Sequence, residues 1–371
     1  MTDGHDLVPA VVEATQRAGR WSPANANSFR SKAMVRRIAI DVAAQSLWSG
    51  RRRRPELRVT TALISHAACL GHDTPPGHPE CADRLRAVLR ALEAREFDGL
   101  VRIEAPLVAT NALLRAHSRS EIDLVLLQHA VEAERNGHSY IDGDTSMSRG
   151  SAQAALRAAG AVVAAVDEVA ASRIHNAFCA VRPPGHHAER NRAMGFCLFN
   201  NIAVGALHAR DVHGFKRIAV VDFDVHHGNG TQDIFFDEPN LFCASTHQFP
   251  LYPGTGRPSE KGVAGNILNV PLPPGADGPA FRAAFENSIL PALDRFAPDF
   301  VFISAGFDAH RADPLASLEL DEADFAWATR KVCAVAERCC GGRVVSALEG
   351  GYDLDALGSS VAAHVWALSH N

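Results

Sequence analysis

The residues best suited to chemistry are two histidine pairs, His186–His187 in "RPPGHHAE" and His226–His227 in "DFDVHHGNG". Each pair borders a glycine and follows a short apolar run. Asp222 and Asp224 precede the second pair. Ser245 in "CASTHQ", Asp308 in "ISAGFDAH", and Glu349 and Tyr352 in "SALEGGYD" close other apolar runs. Burying a carboxylate or an imidazolium without a partner costs several kcal/mol. A core strand that ends in two aspartates and two histidines therefore needs a counter-charge, and a metal ion supplies one.

The spacing supports a metal. Asp224 and His226 are two apart, so in an extended segment their side chains point the same way. A third ligand must come from another strand end, and Asp308 is the natural choice. Two carboxylates, one imidazole and an open position suit a Zn²⁺ that keeps a water. The carboxylates temper its Lewis acidity, so the water needs a base, and His186 and His187 are available. Tyr352 could donate a hydrogen bond to a carbonyl opposite the metal. Asp222 and Asn229 could orient the histidines. The set describes metal-assisted hydrolysis of an amide. His78 reads as structural; His117, His129, His138 and His213 fall in helical or loop contexts, where the default is surface or core; and His310 and Asp313 lie past the strand end that carries Asp308.

These residues require a scaffold that gathers strand ends. Apolar runs predict strands at "RVTTALISH", "NAFCAVRPPG", "KRIAVVDFD", "LFCASTH", "DFVFISAGFD" and "GRVVSALEGG". Helical spacing lies between them: Ser151–Ala171 with Ser151 as N-cap, "NNIAVGALHAR", a helix around 280–296, Asp321–Cys340, and a closing "LDALGSSVAAHVWAL". Short, nearly continuous apolar strands alternating with helices indicate a parallel sheet covered on both faces. Ligands of such sheets bind beyond the carboxyl ends of the strands. Five strands bring polar residues to that edge.

Composition sets the frame. The chain has 371 residues, is 47% hydrophobic and 21% charged, and carries a formal net charge of −5. That balance gives no general reason to expect a nucleic-acid or membrane surface. None of the eight cysteines forms a CxxC pair, and several sit in apolar runs, which points to a reducing, cytoplasmic setting. The N-terminus lacks a basic segment followed by an apolar core, and no run approaches the length of a membrane span. Residues 1–57, ending in "SGRRRRPEL", read as an Arg-rich, poorly ordered or peripheral extension, and 58–371 as one α/β catalytic domain.

In order along the chain stand "HPE" with Arg84, "RPPGHHA", "GFCLFNN", "DFDVHHGNGTQ", "STH", "PGTG", "AGFDAHRADPL" and "EGGYD". Together they resemble the histone deacetylases, class II in flavour, including bacterial deacetylase-like amidohydrolases and acetylpolyamine amidohydrolases. The resemblance implies the three-layer arginase/deacetylase fold, a single eight-stranded parallel sheet with helices on both faces. It implies Zn²⁺ on Asp224, His226 and Asp308, with His187 as general base and acid beside His186, and Tyr352 polarising the carbonyl. Asp222 would carry His186 and Asn229 would contact His187. Gly195 and Phe196 would line an acyl-lysine channel, with Tyr252 near its opposite wall. A K⁺ ion would sit close by on Asp222, Asp224 and Ser245. Leu315 stands where polyamine-specific relatives place a Glu, which favours acyl-lysine in a protein or peptide over small acetylated amines.

The expected function is thus a zinc-dependent lysine deacylase. The alternatives are a deacetylase of acetylpolyamines, an arginase-like ureohydrolase, and a non-catalytic acyl-lysine binder. His227 and Asn229 stand where a two-metal ureohydrolase would want further carboxylates. No membrane or specific nucleic-acid partner is expected, and the sequence leaves the oligomeric state open.

Overall fold

The computed structural model describes residues 60–371. The Arg-rich extension assigned to 1–57 lies outside them. The strands are β1 (Thr61–Ser65), β2 (Val101–Glu104), β3 (His138–Tyr140), β4 (Ser146–Ser148), β5 (Asn176–Cys179), β6 (Ile218–Asp222), β7 (Leu241–Gln248), β8 (Ile267–Leu272), β9 (Phe300–Ala305) and β10 (Val344–Leu348). Eight of them form one sheet in the order β2-β1-β5-β10-β9-β6-β7-β8, with every pairing parallel. The remaining two, β3 and β4, form an antiparallel hairpin.

The longer helices are α1 (Ala82–Ala91), α2 (Ser151–Ala170), α3 (Asn201–Asp211), α4 (Glu322–Cys340) and α5 (Leu354–Ser369). The α2 and α3 helices pack on each other over one face, while α1, α4 and α5 pack together over the other. The interior strands β5, β6, β9 and β10 are buried at every position, as a sheet covered on both faces requires. Among the described residues no helix is long and apolar enough to cross a membrane. All eight cysteines are unpaired thiols, six of them buried.

Two local expectations need correction. Ser151 is not the N-cap of α2, because Gly150 holds that position without a side-chain bond. The Ser151 hydroxyl instead accepts the Ser148 N–H at 2.7 Å and meets Nδ1 of His72 at 2.7 Å. The helix expected around 280–296 is interrupted by a π-helical segment, Phe285–Ile289, between Gly278–Ala284 and Leu290–Phe296. Pro291 has no N–H to continue the regular ladder, which accounts for the break.

Register sets up the site. Asp222, the last residue of β6, stands opposite Ser245 of β7 on one side and Ser304 of β9 on the other. One polar row therefore crosses the sheet at the carboxyl end, and the loops that follow carry the remaining charged groups over it.

Candidate active site

Beyond β6 the chain bends, and Asp224 and His226 converge through that bend instead of through the extended spacing expected from the sequence. Asp222 Oδ1 accepts the Asp224 N–H at 3.0 Å, and Asp224 Oδ1 accepts the His226 N–H at 2.9 Å. Nδ1 of His226 lies 3.2 Å from Asp224 Oδ1 and 3.0 Å from Asp308 Oδ2. The three groups are buried and offer ligand atoms within 4.8 Å of one another. Backbone amides fix the outer oxygens: Val225 donates to Asp308 at 2.9 Å and Gly350 to Asp224 at 2.7 Å. This packing leaves no room for a side chain at position 350. A Cβ there would collide with the Asp308 carboxylate and lie 2.6 Å from Asp224 Oδ2.

The electrostatics show what the cluster is built to hold. Burial, followed by the neighbouring Asp224 charge, pushes the Asp308 carboxyl up to about 7. Burial disfavours charge on His226, but its bonds to Asp224 and Asp308 outweigh this and hold its pKa up to about 10. Two buried carboxylates thus compete for one positive charge. A divalent cation would supply it in place of the imidazole proton, so this donor set fits a metal ion. His310 and Asp313 stay out of the cluster, as expected from their position past the strand end. Asp313 instead accepts the N–H groups of Tyr352 at 2.7 Å and Leu315 at 3.0 Å.

His186 and His187 lie side by side, with ring centroids 4.1 Å apart, in opposite states. Nδ1 of His186 meets Asp222 Oδ2 at 3.0 Å. Burial opposes its charge, yet Asp224 and Asp222 prevail and raise its pKa well above the usual histidine range. His187 is held well below that range by burial and by the nearby His186 and His226. Its Nδ1 meets Asn229 Oδ1 at 2.8 Å, which leaves Nε2 available. Glu349 accepts the N–H of Gly185 at 2.6 Å and of His186 at 3.1 Å, tying the histidine loop to the end of β10.

Sequence reasoning missed a buried ionic network behind Tyr352. Arg84 reaches the carbonyl oxygens of Gly351 and Glu349, each at 2.5 Å, and its guanidinium lies 4.7 Å from the Tyr352 ring centroid. Glu80 takes Arg84 at 3.1 Å and is gripped by both Nε and Nη2 of Arg182, the latter at 2.7 Å. His72 joins at 3.3 Å. All three charged side chains of this core are fully buried, a placement tolerated only with complete pairing. The network fixes the turn that carries Tyr352.

A cavity of about 210 Å³ opens above the cluster. His187, His226 and Tyr352 are among its lining groups, together with Gly195, Phe196, Leu251, Tyr252 and Leu315. The four channel residues expected from the sequence are therefore brought together. Asp144, in the turn between β3 and β4, also lines the cavity and was not anticipated. His78, expected to be structural, lies 3.0 Å from the Asp144 carbonyl oxygen and packs edge-on against Phe196. Ser245, assigned to potassium, has its hydroxyl 2.9 Å from His247 Nδ1.

Comparison with known proteins agrees with this architecture. A model of the histone deacetylase domain matches residues 78–368. The chain is 41% identical to histone deacetylase 14, chloroplastic, of Arabidopsis thaliana over 323 residues, 82% of this chain and 76% of that protein. It is 37% identical to a probable deacetylase of Archaeoglobus fulgidus over 303 residues, 80% and 82% of the two chains. The crystal structure of the HDA15 HD domain superposes with a TM-score of 0.76 at 35% identity, covering 84% of this chain and 88% of that one. The sheet and its flanking helices are those of the arginase/deacetylase fold.

Proposed function

The chain belongs to the histone deacetylase family, and from that premise we propose that it is a zinc-dependent hydrolase that removes acyl groups from the ε-amine of lysine in proteins or peptides. The observation that carries the proposal is the cavity above the buried cluster. Phe196, Tyr252 and Leu315 offer apolar wall to a lysine stem, and His187, His226 and Tyr352 supply the polar groups that meet the amide.

Asp224, His226 and Asp308 would hold the Zn²⁺. When bound, such an ion activates water and polarises a carbonyl. The protein's own groups do the rest. His187, kept neutral by its surroundings, takes a proton at Nε2 and returns it to the departing amine. His186 remains an imidazolium on Asp222 and contributes positive charge beside the reacting centre. The Tyr352 hydroxyl, whose pKa burial raises well above 10, stays protonated and donates to the acyl oxygen. A K⁺ ion would sit on Asp222, Asp224 and Ser245; in support of this reading, Asp222 and Ser245 are register partners on neighbouring strands.

One observation favours a second substrate class. Asp144 places a carboxylate in the channel lining, where it could receive a peptide N–H or attract the second ammonium of an acetylated polyamine. Leu315 on the same lining supplies no such attraction. The test is kcat/KM for acetyl-lysine peptides against acetylspermidine and acetylputrescine, with Zn²⁺ and K⁺ present. A preference for peptides of about 10²-fold, roughly 3 kcal/mol in the transition state, is expected. A polyamine preference would overturn the substrate and leave the chemistry. Tyr352→Phe should lower kcat by about 10²-fold with metal retained, and unchanged turnover would remove Tyr352 from the mechanism.

A further inference from the structure

A second group of metal-ligating side chains lies away from the proposed active site. Asp167 on α2, His208 on α3 and His213 in the turn after α3 offer ligand atoms within 4.8 Å of one another. Nε2 of His208 lies 2.8 Å, and Nε2 of His213 2.7 Å, from the same oxygen, Oδ1 of Asp167. The other end of α2 begins at Ser151, which joins the active-site network through His72. Sixteen residues of helix separate Ser151 from Asp167, about 24 Å at 1.5 Å per residue. The second group and the buried Glu80 network behind Tyr352 therefore sit at opposite ends of this helix.

We propose that Asp167, His208 and His213 form a surface site for a divalent transition ion such as Zn²⁺, tying the end of α2 to the end of α3. Two imidazoles and one carboxylate suit Zn²⁺, Ni²⁺ or Cu²⁺, whereas Ca²⁺ and Mg²⁺ want oxygen alone. Among the described residues no guanidinium holds the carboxylate: Arg173 is engaged by Glu168 and Arg210 by Asp211 and Glu238. The present spacings are those of hydrogen bonds, and ligands around one ion stand about 3.3 Å apart for bonds of 2.0–2.1 Å. The partly exposed Asp167 and His213 can open by that half ångström. Nδ1 of His208 has no hydrogen-bond partner among the described residues, so its proton can move there and leave Nε2 bare without breaking a second bond. The lack of an outer partner also weakens the site, by about 10–100-fold against a fully supported one. Starting from the weak end of structural Zn²⁺ sites, about 50 nM, that loss gives an expected dissociation constant of about micromolar.

The test is a metal count on the full chain, dialysed against buffered Zn²⁺ at about 10 µM free ion, roughly tenfold above that constant. The native chain is expected to hold one Zn²⁺ more than His213→Ala, and one more than Asp167→Asn. Equal counts in native and variant chains, whether one or two, would overturn the proposal, since any extra ion would then sit elsewhere. Both variants change partly exposed side chains, so loss of folding is not expected. Circular dichroism on the same samples checks this, and should either variant unfold, the other decides. The count does not depend on turnover, so its outcome is separate from that of the proposed activity.

Discussion

The clusters Asp224–His226–Asp308 and Asp167–His208–His213 draw on the same side-chain types within the same 4.8 Å, and burial separates them. The first lies on loops at the carboxyl edge of a sheet, under a cavity, with backbone amides fixing its outer oxygens. The second spans two helix ends, with the Asp167 side chain 45% exposed. In the first, low dielectric makes each unpaired charge expensive, so the protein surrounds the group with donors, and a cation would complete the balance. In the second, water meets the same need at little cost, so the geometry is loose and the expected metal binding weak. Composition nominates a metal site; desolvation and outer-shell support decide how tightly it binds.

The largest expected effect follows from removing a carboxylate of the buried cluster. Asp308→Ala should abolish its metal and lower kcat/KM by about 10³-fold or more, over 4 kcal/mol in the transition state. Metal counting and steady-state kinetics on the same preparation check it. Retained metal would place the third ligand elsewhere and break the comparison at its strongest point.

How much of this was visible in the sequence also follows burial. The interior strands β5, β6, β9 and β10 are nearly continuous apolar runs, and they read as strands at once. The edge strands did not. β2 is "VRIE", largely exposed, and β8 is "ILNVPL", with a proline that only an edge position tolerates. The short hairpin of β3 and β4 carried no signal, so Asp144 in its turn was missed. Asp222, Asp224, His226 and Asp308 were legible because charged residues ending an apolar run are locally anomalous. The partnership of Glu80 with Arg182 spans 102 residues, and neither residue signals it alone. The surface trio was also invisible, because a histidine on a helix is ordinary until the partner helix is in place.

Histidines outside both clusters extend the comparison to pH. His117 is buried at 1% exposure, 3.0 Å from the Glu189 carbonyl oxygen through Nδ1, and accepts the Asn200 N–H at 2.9 Å. Burial pushes its pKa down to about 4. Its unfolded value is about 6.5, so between 6.5 and 4 the unfolded chain binds more protons than the native one. Stability is therefore full above about 6.5 and falls by about 3 kcal/mol as the pH drops to 4. Urea unfolding across that range should show a shallower decline in His117→Gln than in the native chain. Parallel declines would mean that His117 is protonated without cost.

The smallest effect is expected where the comparison is most exposed to failure. Without added metal, the contacts of His208 and His213 with Asp167 are hydrogen bonds to a carboxylate that is itself 45% exposed. Pairs of that kind contribute about 0–1 kcal/mol, because water and mobile ions serve either partner nearly as well. Asp167→Asn should therefore lower the unfolding free energy in chelator by less than about 1 kcal/mol. In micromolar Zn²⁺ the gap between native and variant chains should widen, since an ion that binds only the folded state adds its binding free energy to stability. A loss of several kcal/mol in chelator would show that Asp167 already works as a buried charge does. Exposure would then not be what separates the two clusters.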